Sequence, residues 1–119
     1  MQISRIVPVL DAADVEAESA FWAGLLGGTV SAEDGWTTIS VGGEPRLDVQ
    51  LAPDHVAPQW PDGEPQQIHL DLYVDDIAAA HAAAMALGAR VLQAAELTAP
   101  SGFQVYADPA GHPFCLCWS

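Results

Sequence analysis

The sequence predicts an α+β fold of two βαβββ units, mostly antiparallel half-barrels with the helices outside, and three observations predict it. The first is an internal repeat. Arg5 to Leu51 runs as apolar strand, Asp-started helix, Leu-Gly-Gly stop and further strands, and His69 to Trp118 runs in the same order. Val9-Leu10-Asp11 answers Tyr73-Val74-Asp75, and Leu26-Gly27-Gly28 answers Leu87-Gly88-Ala89, with a small insertion near Ala12-Ala13 reconciling the offset. The second is periodicity, which switches between alternating β patterns and helical spacing. The third is punctuation by Asp at helix starts and Gly at helix ends. A duplicated small unit matters because two open half-sheets can enclose a shared cavity, and a missed repeat misplaces the whole fold.

Each element has a local reason. Gln2 to Leu10 is β-branched and apolar and reads as a strand, with Pro8 marking an edge or a bulge because it has no N–H to give to a ladder. Asp14 is the expected N-cap of the first helix, and Glu16 and Glu18 suit its first turn. Val15, Phe21, Trp22, Leu25 and Leu26 form the apolar stripe, with Trp22 in the core, and Gly27-Gly28 ends the helix. Thr29 to Ser31, Trp36 to Val41 and Arg46 to Leu51 read as strands separated by turns at Asp34-Gly35 and Gly42-Gly43. A first unit over residues 1–52 gives way to a connector over 53–66 that carries Pro53, Pro58, Pro61 and Pro65 with His55 and Trp60. Long structured connectors are often functional. The second unit, 67–119, starts with a strand over Ile68 to Val74. A helix from Asp75-Asp76 to Gly88 follows, with strands over Arg90 to Gln93, Phe103 to Ala107 and Phe114 to Trp118 and a tight turn at Asp108-Pro109-Ala110-Gly111.

Composition narrows the function classes. The chain has 119 residues, half of them apolar, enough for one domain with a sizeable core. Sixteen carboxylates face three arginines (Arg5, Arg46 and Arg90) and no lysine, so the net charge is −13. Such a surface repels nucleic-acid backbones and anionic lipid, and neither is an expected partner. No apolar run approaches the ~20 residues of a membrane helix, and Met1 to Arg5 has no signal-peptide character; a cytoplasmic address is the expectation. Cys115 and Cys117 sit two apart in one strand, so they face the same way and read as buried free thiols in a reducing compartment.

Several strings together resemble the glyoxalase/bleomycin-resistance/dioxygenase, or vicinal oxygen chelate, superfamily, and within it the small bacterial glyoxalase-like domains. They are Phe21-Trp22 with Leu25-Leu26-Gly27-Gly28, Trp60-Pro61 before Pro65-Gln66-Gln67, and His69-Leu70-Asp71-Leu72 with Val74-Asp75-Asp76. Leu87-Gly88-Ala89 and Asp108-Pro109-Ala110-Gly111-His112-Pro113-Phe114-Cys115-Leu116 complete the set. The resemblance covers nearly the whole chain. It implies paired βαβββ units around a concave cavity, and a homodimer. In the family's enzymes it implies one divalent metal held from the first, fourth, fifth and eighth strands, acting as a Lewis acid on vicinal substrate oxygens. Other members are metal-free and bind antibiotics, so fold membership alone does not decide function.

The expected metal positions are only partly filled. Arg5 falls where the resemblance places a His or Gln ligand, and a permanent cation there repels a divalent ion. Asp48 and Gln50 share a face of the fourth strand and offer weak oxygen ligands. His69 matches the family's histidine, and Cys115 stands where Glu is usual. A magnesium- or manganese-type site wants more carboxylates, so no metal is expected; if one binds, His69, Asp48, Gln50 and Cys115 are its candidates. His69, Asp71 and Tyr73 form a polar stripe into the cavity. An Arg5–Asp71 ion pair is expected to replace the metal. His55 reads as solvated or part of a lid, His81 as a surface residue of the second helix, and His112 as a turn stabiliser.

The resulting expectation is a small-molecule-binding protein with a degenerate metal site, serving drug or metabolite sequestration. Its ligand set is Arg5, Trp36, Thr38, Asp48, Gln50, Trp60, His69, Asp71, Tyr73 and Cys115, with Trp118 as a further aromatic wall. The acidity and the inward carboxylates favour a cationic or aromatic ligand. The alternative is a metal-dependent lyase, isomerase or dioxygenase with an atypical site of His69, Asp48 or Gln50, and Cys115. A third reading makes His69 a metal-free catalytic base oriented by Asp71.

Overall fold

The observed order is β1 (Val9–Ala12), α1 (Val15–Leu26), β2 (Thr29–Glu33), β3 (Trp36–Val41) and β4 (Glu44–Leu51), then β5 (Leu70–Tyr73), α2 (Ile77–Ala86), β6 (Arg90–Gln93), β7 (Gly102–Ala107) and β8 (Pro113–Trp118). These elements come from a computed structural model describing residues 1–119. The chain divides into two compact units, Met1–His55 and Val56–Ser119, and each holds one βαβββ set.

In the N-terminal unit the strand order is β1-β4-β3-β2. β1 runs parallel to β4, as it must after a helical crossover, and the remaining pairs are antiparallel hairpins. Asp14 caps α1 by accepting the Ala17 N–H at 3.0 Å. Gly27 closes the helix at φ 66°, a left-handed conformation that a side chain would strain. Gly28 is needed for a different reason: a Cβ there would lie 2.5 Å from the Ser40 carbonyl oxygen, so only glycine lets the chain pass β3. Strand alternation sends Leu10, Ala12, Ile39, Leu47 and Val49 to the buried face, and Phe21 and Trp22 of α1 are buried with them. The rings of Phe21 and Trp22 meet edge to face at 5.4 Å.

β1 is shorter and later than the sequence pattern predicts. Residues 1–8 lie in no strand, and Met1, Ile3 and Ile6 are exposed. Pro8 gives the physical reason. Its carbonyl accepts the Asp48 N–H at 3.0 Å, but it has no N–H to return, and the regular ladder begins only at Val9. Arg5 is therefore an exposed residue ahead of the sheet and not a strand residue.

The C-terminal unit repeats the topology, in the order β5-β8-β7-β6 with β5 parallel to β8. Asp76 caps α2 through the Ala79 N–H at 3.1 Å. β5 is also shorter than expected, so His69 sits at the step into the strand. The turn before β8 is closed by Asp108, which is buried. Its carboxylate accepts the His112 N–H at 2.8 Å, and its carbonyl accepts the Gly111 N–H at 2.9 Å. Phe114 and Leu116 are buried on the sheet face that carries Tyr106, whose ring stacks on Phe114 at 5.3 Å. His81, expected at the surface of α2, is instead half-buried with its Nδ1 2.8 Å from the Tyr106 hydroxyl, and Gln104 Nε2 also donates to that hydroxyl at 3.1 Å. The Ala95 N–H donates to Gln104 Oε1 at 2.9 Å, which fixes the amide's orientation and completes a polar network in the α2-side core.

Candidate functional site

The other face of the C-terminal sheet carries the chemistry. Because β5 and β8 pair in parallel register, Asp71 stands beside Cys115 and Tyr73 beside Cys117. The antiparallel register of β7 and β8 sets Val105 against Cys115 and Phe103 against Cys117. Two cross-strand rows result, Asp71–Cys115–Val105 and Tyr73–Cys117–Phe103, and all six side chains share one face by strand alternation. Cys115 and Cys117 are free and buried, and Val105 packs with them. Tyr73 and Phe103 are exposed at the rim. Trp118 is held by its indole N–H, which donates to the Ala99 carbonyl at 2.9 Å, and its ring crosses Gly102 so closely that a Cβ there would come within 2.9 Å. Asp71, Tyr73, Phe103, Cys115, Cys117 and Trp118 are among the residues lining a cavity of about 460 Å³ with a largely apolar floor, within the size range of small-molecule sites.

The polar groups gather at one end. His69 Nε2 lies 3.3 Å from Asp71 Oδ1, and the two side chains are 45% and 43% exposed. Within its own unit, Asp71 lies against His69. One donor atom each from His69, Asp71 and Cys115 lies within 4.8 Å of the other two. The Cys115 thiol is pushed up to about 11, first by burial, then by the Asp71 charge and by donating its S–H to Asp71, with Cys117 adding to the effect. Cys117 moves in the same direction, by burial and then by Asp71. Neither has the lowered pKa of a nucleophilic cysteine.

The remaining expected ligand residues fall into two groups. Trp36, Thr38, Asp48 and Gln50 share one face of the N-terminal sheet, where register sets Trp36 against Gln50 and Thr38 against Asp48. One Asp48 carboxylate oxygen is buried there without a hydrogen-bond partner. Trp60 packs against the Val105, Cys115 and Cys117 cluster and lines a second cavity of about 370 Å³ with Pro58, Arg90 and Leu92. Phe103 and Gly102 were missed as site residues. The signal for Phe103 was the alternation of β7, which puts it on the face of Val105.

A glyoxalase-like domain model matches residues 8–117. The chain belongs to the glyoxalase-like domain family. No curated protein matches it in sequence. Among solved structures, this glyoxalase-like domain is similar to the fosfomycin resistance protein FosX from Mesorhizobium loti, with TM-score 0.73, 12% identity, and 100% of this chain and 94% of that one covered. A glyoxalase/bleomycin resistance protein from Albidiferax ferrireducens T118 gives TM-score 0.69 at 14% identity over 97% and 98% of the two chains. The hypothetical protein SA1046 from S. aureus gives 0.70 at 15% over 100% and 96%. At these identities the likeness is one of fold alone. No helix is long and apolar enough to cross a membrane.

The C-terminal unit does not reproduce a hard-ion site. Its donor cluster has one carboxylate, one imidazole and one thiol, whereas magnesium and manganese require mainly carboxylate, carbonyl and water oxygens.

Proposed function

We propose that this glyoxalase-like domain binds a small organic molecule, cationic or aromatic, on the open face of its C-terminal sheet, and serves drug or metabolite sequestration rather than magnesium- or manganese-dependent chemistry. The observation that carries this reading is the cavity of about 460 Å³, with its apolar floor at Cys115 and Cys117, aromatic rims at Tyr73 and Phe103, and the Asp71 carboxylate at one end. An apolar pocket with one or two polar anchors is the ordinary form of a small-molecule site. The carboxylate supplies a counter-charge and the aromatic edges supply cation–π contact. The net charge of −13 draws a cation toward the surface and repels anions. Structural neighbours named for fosfomycin and bleomycin resistance support a small-molecule ligand. The free thiols fit a reducing, cytoplasmic setting. A homodimer belongs to the same proposal and is checked by light scattering.

The test is a thermal-shift screen of cationic and neutral aromatic compounds, followed by calorimetry on each hit. A binder that stabilises the protein by several degrees, unaffected by chelator, is expected. Asp71→Asn is expected to weaken a cationic hit by about tenfold, or ~1.4 kcal/mol. A screen without hits, or a cationic hit indifferent to Asp71→Asn, would remove the basis of the proposal.

A further inference from the structure

We infer that the second cavity, between the connector and the β6–β7 edge of the C-terminal sheet, binds a flat organic monoanion of the aromatic carboxylate class, with Arg90 as its anchor and Trp60 as its wall. Pro58, Trp60, Arg90 and Leu92 line this cavity of about 370 Å³, and Ala107 and Gly111 help to close it. Antiparallel register sets Arg90 against Ala107, which is buried, so the one cation of the cavity stands beside an apolar base. Trp60 packs against Val105, Cys115 and Cys117, which fixes its side chain. None of the residues lining this cavity belongs to the donor cluster at His69, Asp71 and Cys115.

Three physical points favour such a ligand. The first is the unpaired cation. The chain carries sixteen carboxylates and three arginines, yet no carboxylate lies within ion-pair distance of Arg90. Its planar guanidinium is free to hold an incoming carboxylate by two parallel N–H···O bonds. The second is a built wall. A Cβ on Gly111 would come within 2.6 Å of the Ala57 Cβ, so the connector sits directly on the Asp108 turn. The Gln59 N–H donates to the Glu64 carbonyl at 2.6 Å, and the Glu64 N–H donates to Gln59 Oε1 at 3.0 Å, which closes the loop that carries Trp60. Pro58, Trp60 and Leu92 then offer apolar surface to a flat body, with one polar anchor beside it. The third is charge count. A net charge of −13 repels a dianion about twice as strongly as a monoanion. The cavity has a single arginine to offset that cost, which disfavours phosphate. This inference does not rest on the ligand proposed for the first cavity. It concerns another cavity of opposite charge preference, and either can fail without the other.

The experiment is calorimetric titration of the full chain with cinnamate, with neutral cinnamamide and inorganic phosphate as comparison ligands. We expect one cinnamate per chain, and the amide and phosphate to bind about tenfold more weakly or less. Arg90→Gln should weaken cinnamate by about tenfold and leave the amide unchanged. Arg90→Lys keeps the charge but loses the planar fork, so it should fall between the parent and Arg90→Gln. Arg46→Gln makes the same change in net charge on β4 of the other unit and should leave cinnamate binding unchanged, which separates local contact from long-range attraction. Trp60→Leu should weaken acid and amide alike. Arg90 is exposed, so its variants carry the test even if Trp60→Leu fails to fold, and the comparison of cinnamate with cinnamamide needs no variant. No saturable cinnamate binding, amide or phosphate bound as tightly as cinnamate, or Arg90→Gln no weaker than Arg46→Gln would overturn the assignment.

Discussion

At the scale of single residues, the decisive relation is that of Asp71 to Cys115. A thiol held beside a carboxylate and out of water keeps its proton, and the Cys115 thiol stands at about 11 against an ordinary 9.0. Alkylation of Cys115 by iodoacetamide should therefore be slow near neutral pH and rise about tenfold per pH unit before levelling off at about pH 11, because only the thiolate reacts. Asp71→Asn should speed it at fixed pH, although burial, the larger cause, remains; mass spectrometry of the labelled peptide reads both. The linkage to stability has a definite sign. The folded state holds this proton more tightly than the unfolded chain, so the contribution is full below about pH 9 and is lost as pH rises toward 11. The Tm should fall across that window, and Cys115→Ser should remove part of the fall.

At the scale of elements, the helices and turns follow their local chemistry closely. Asp14 and Asp76 each accept the N–H three residues on, as their positions before apolar helical patterns foretold. Asp14→Ala should cost about 1 kcal/mol, a drop of a few degrees in Tm by thermal melting. Gly28→Ala should cost more than that, because the added Cβ meets the backbone oxygen of Ser40 and cannot be accommodated by turning a side chain. The first strand was legible in type and wrong in extent. The β-branched residues before Pro8 have the composition of a strand, but composition supplies no neighbour, and Pro8 has no N–H for one. The surface placement expected for His81 failed for a related reason. Helical spacing gives the direction of a side chain, while Tyr106 and Gln104, which claim that imidazole, come from a strand far along the chain.

At the scale of the whole molecule, charge is the dominant property. Sixteen carboxylates against three arginines leave a self-repelling surface. Raising salt from about 10 mM to about 0.15 M shortens the screening length from about 30 Å to about 8 Å, so the Tm should rise with sodium chloride over that range. A Tm that falls or stays flat would show that the carboxylates are too dispersed for their repulsion to matter.

The duplicated βαβββ order, the helix caps, the turns, and which residues of each strand share a face were legible in the chain alone. These depend on backbone chemistry and on side-chain periods of two and 3.6, which are local properties. Asp48 and Gln50 on one face, and Asp71 and Tyr73 on one face, were legible for that reason. What stands beside what emerged with the folded chain. The parallel register of β5 on β8 brings Asp71 to Cys115, and the shortened β5 leaves His69 beside Asp71. Register is a long-range agreement between strands, settled by burying Phe114 and Leu116 on one face, and the thiols, carboxylate and imidazole of the other face are carried together by it.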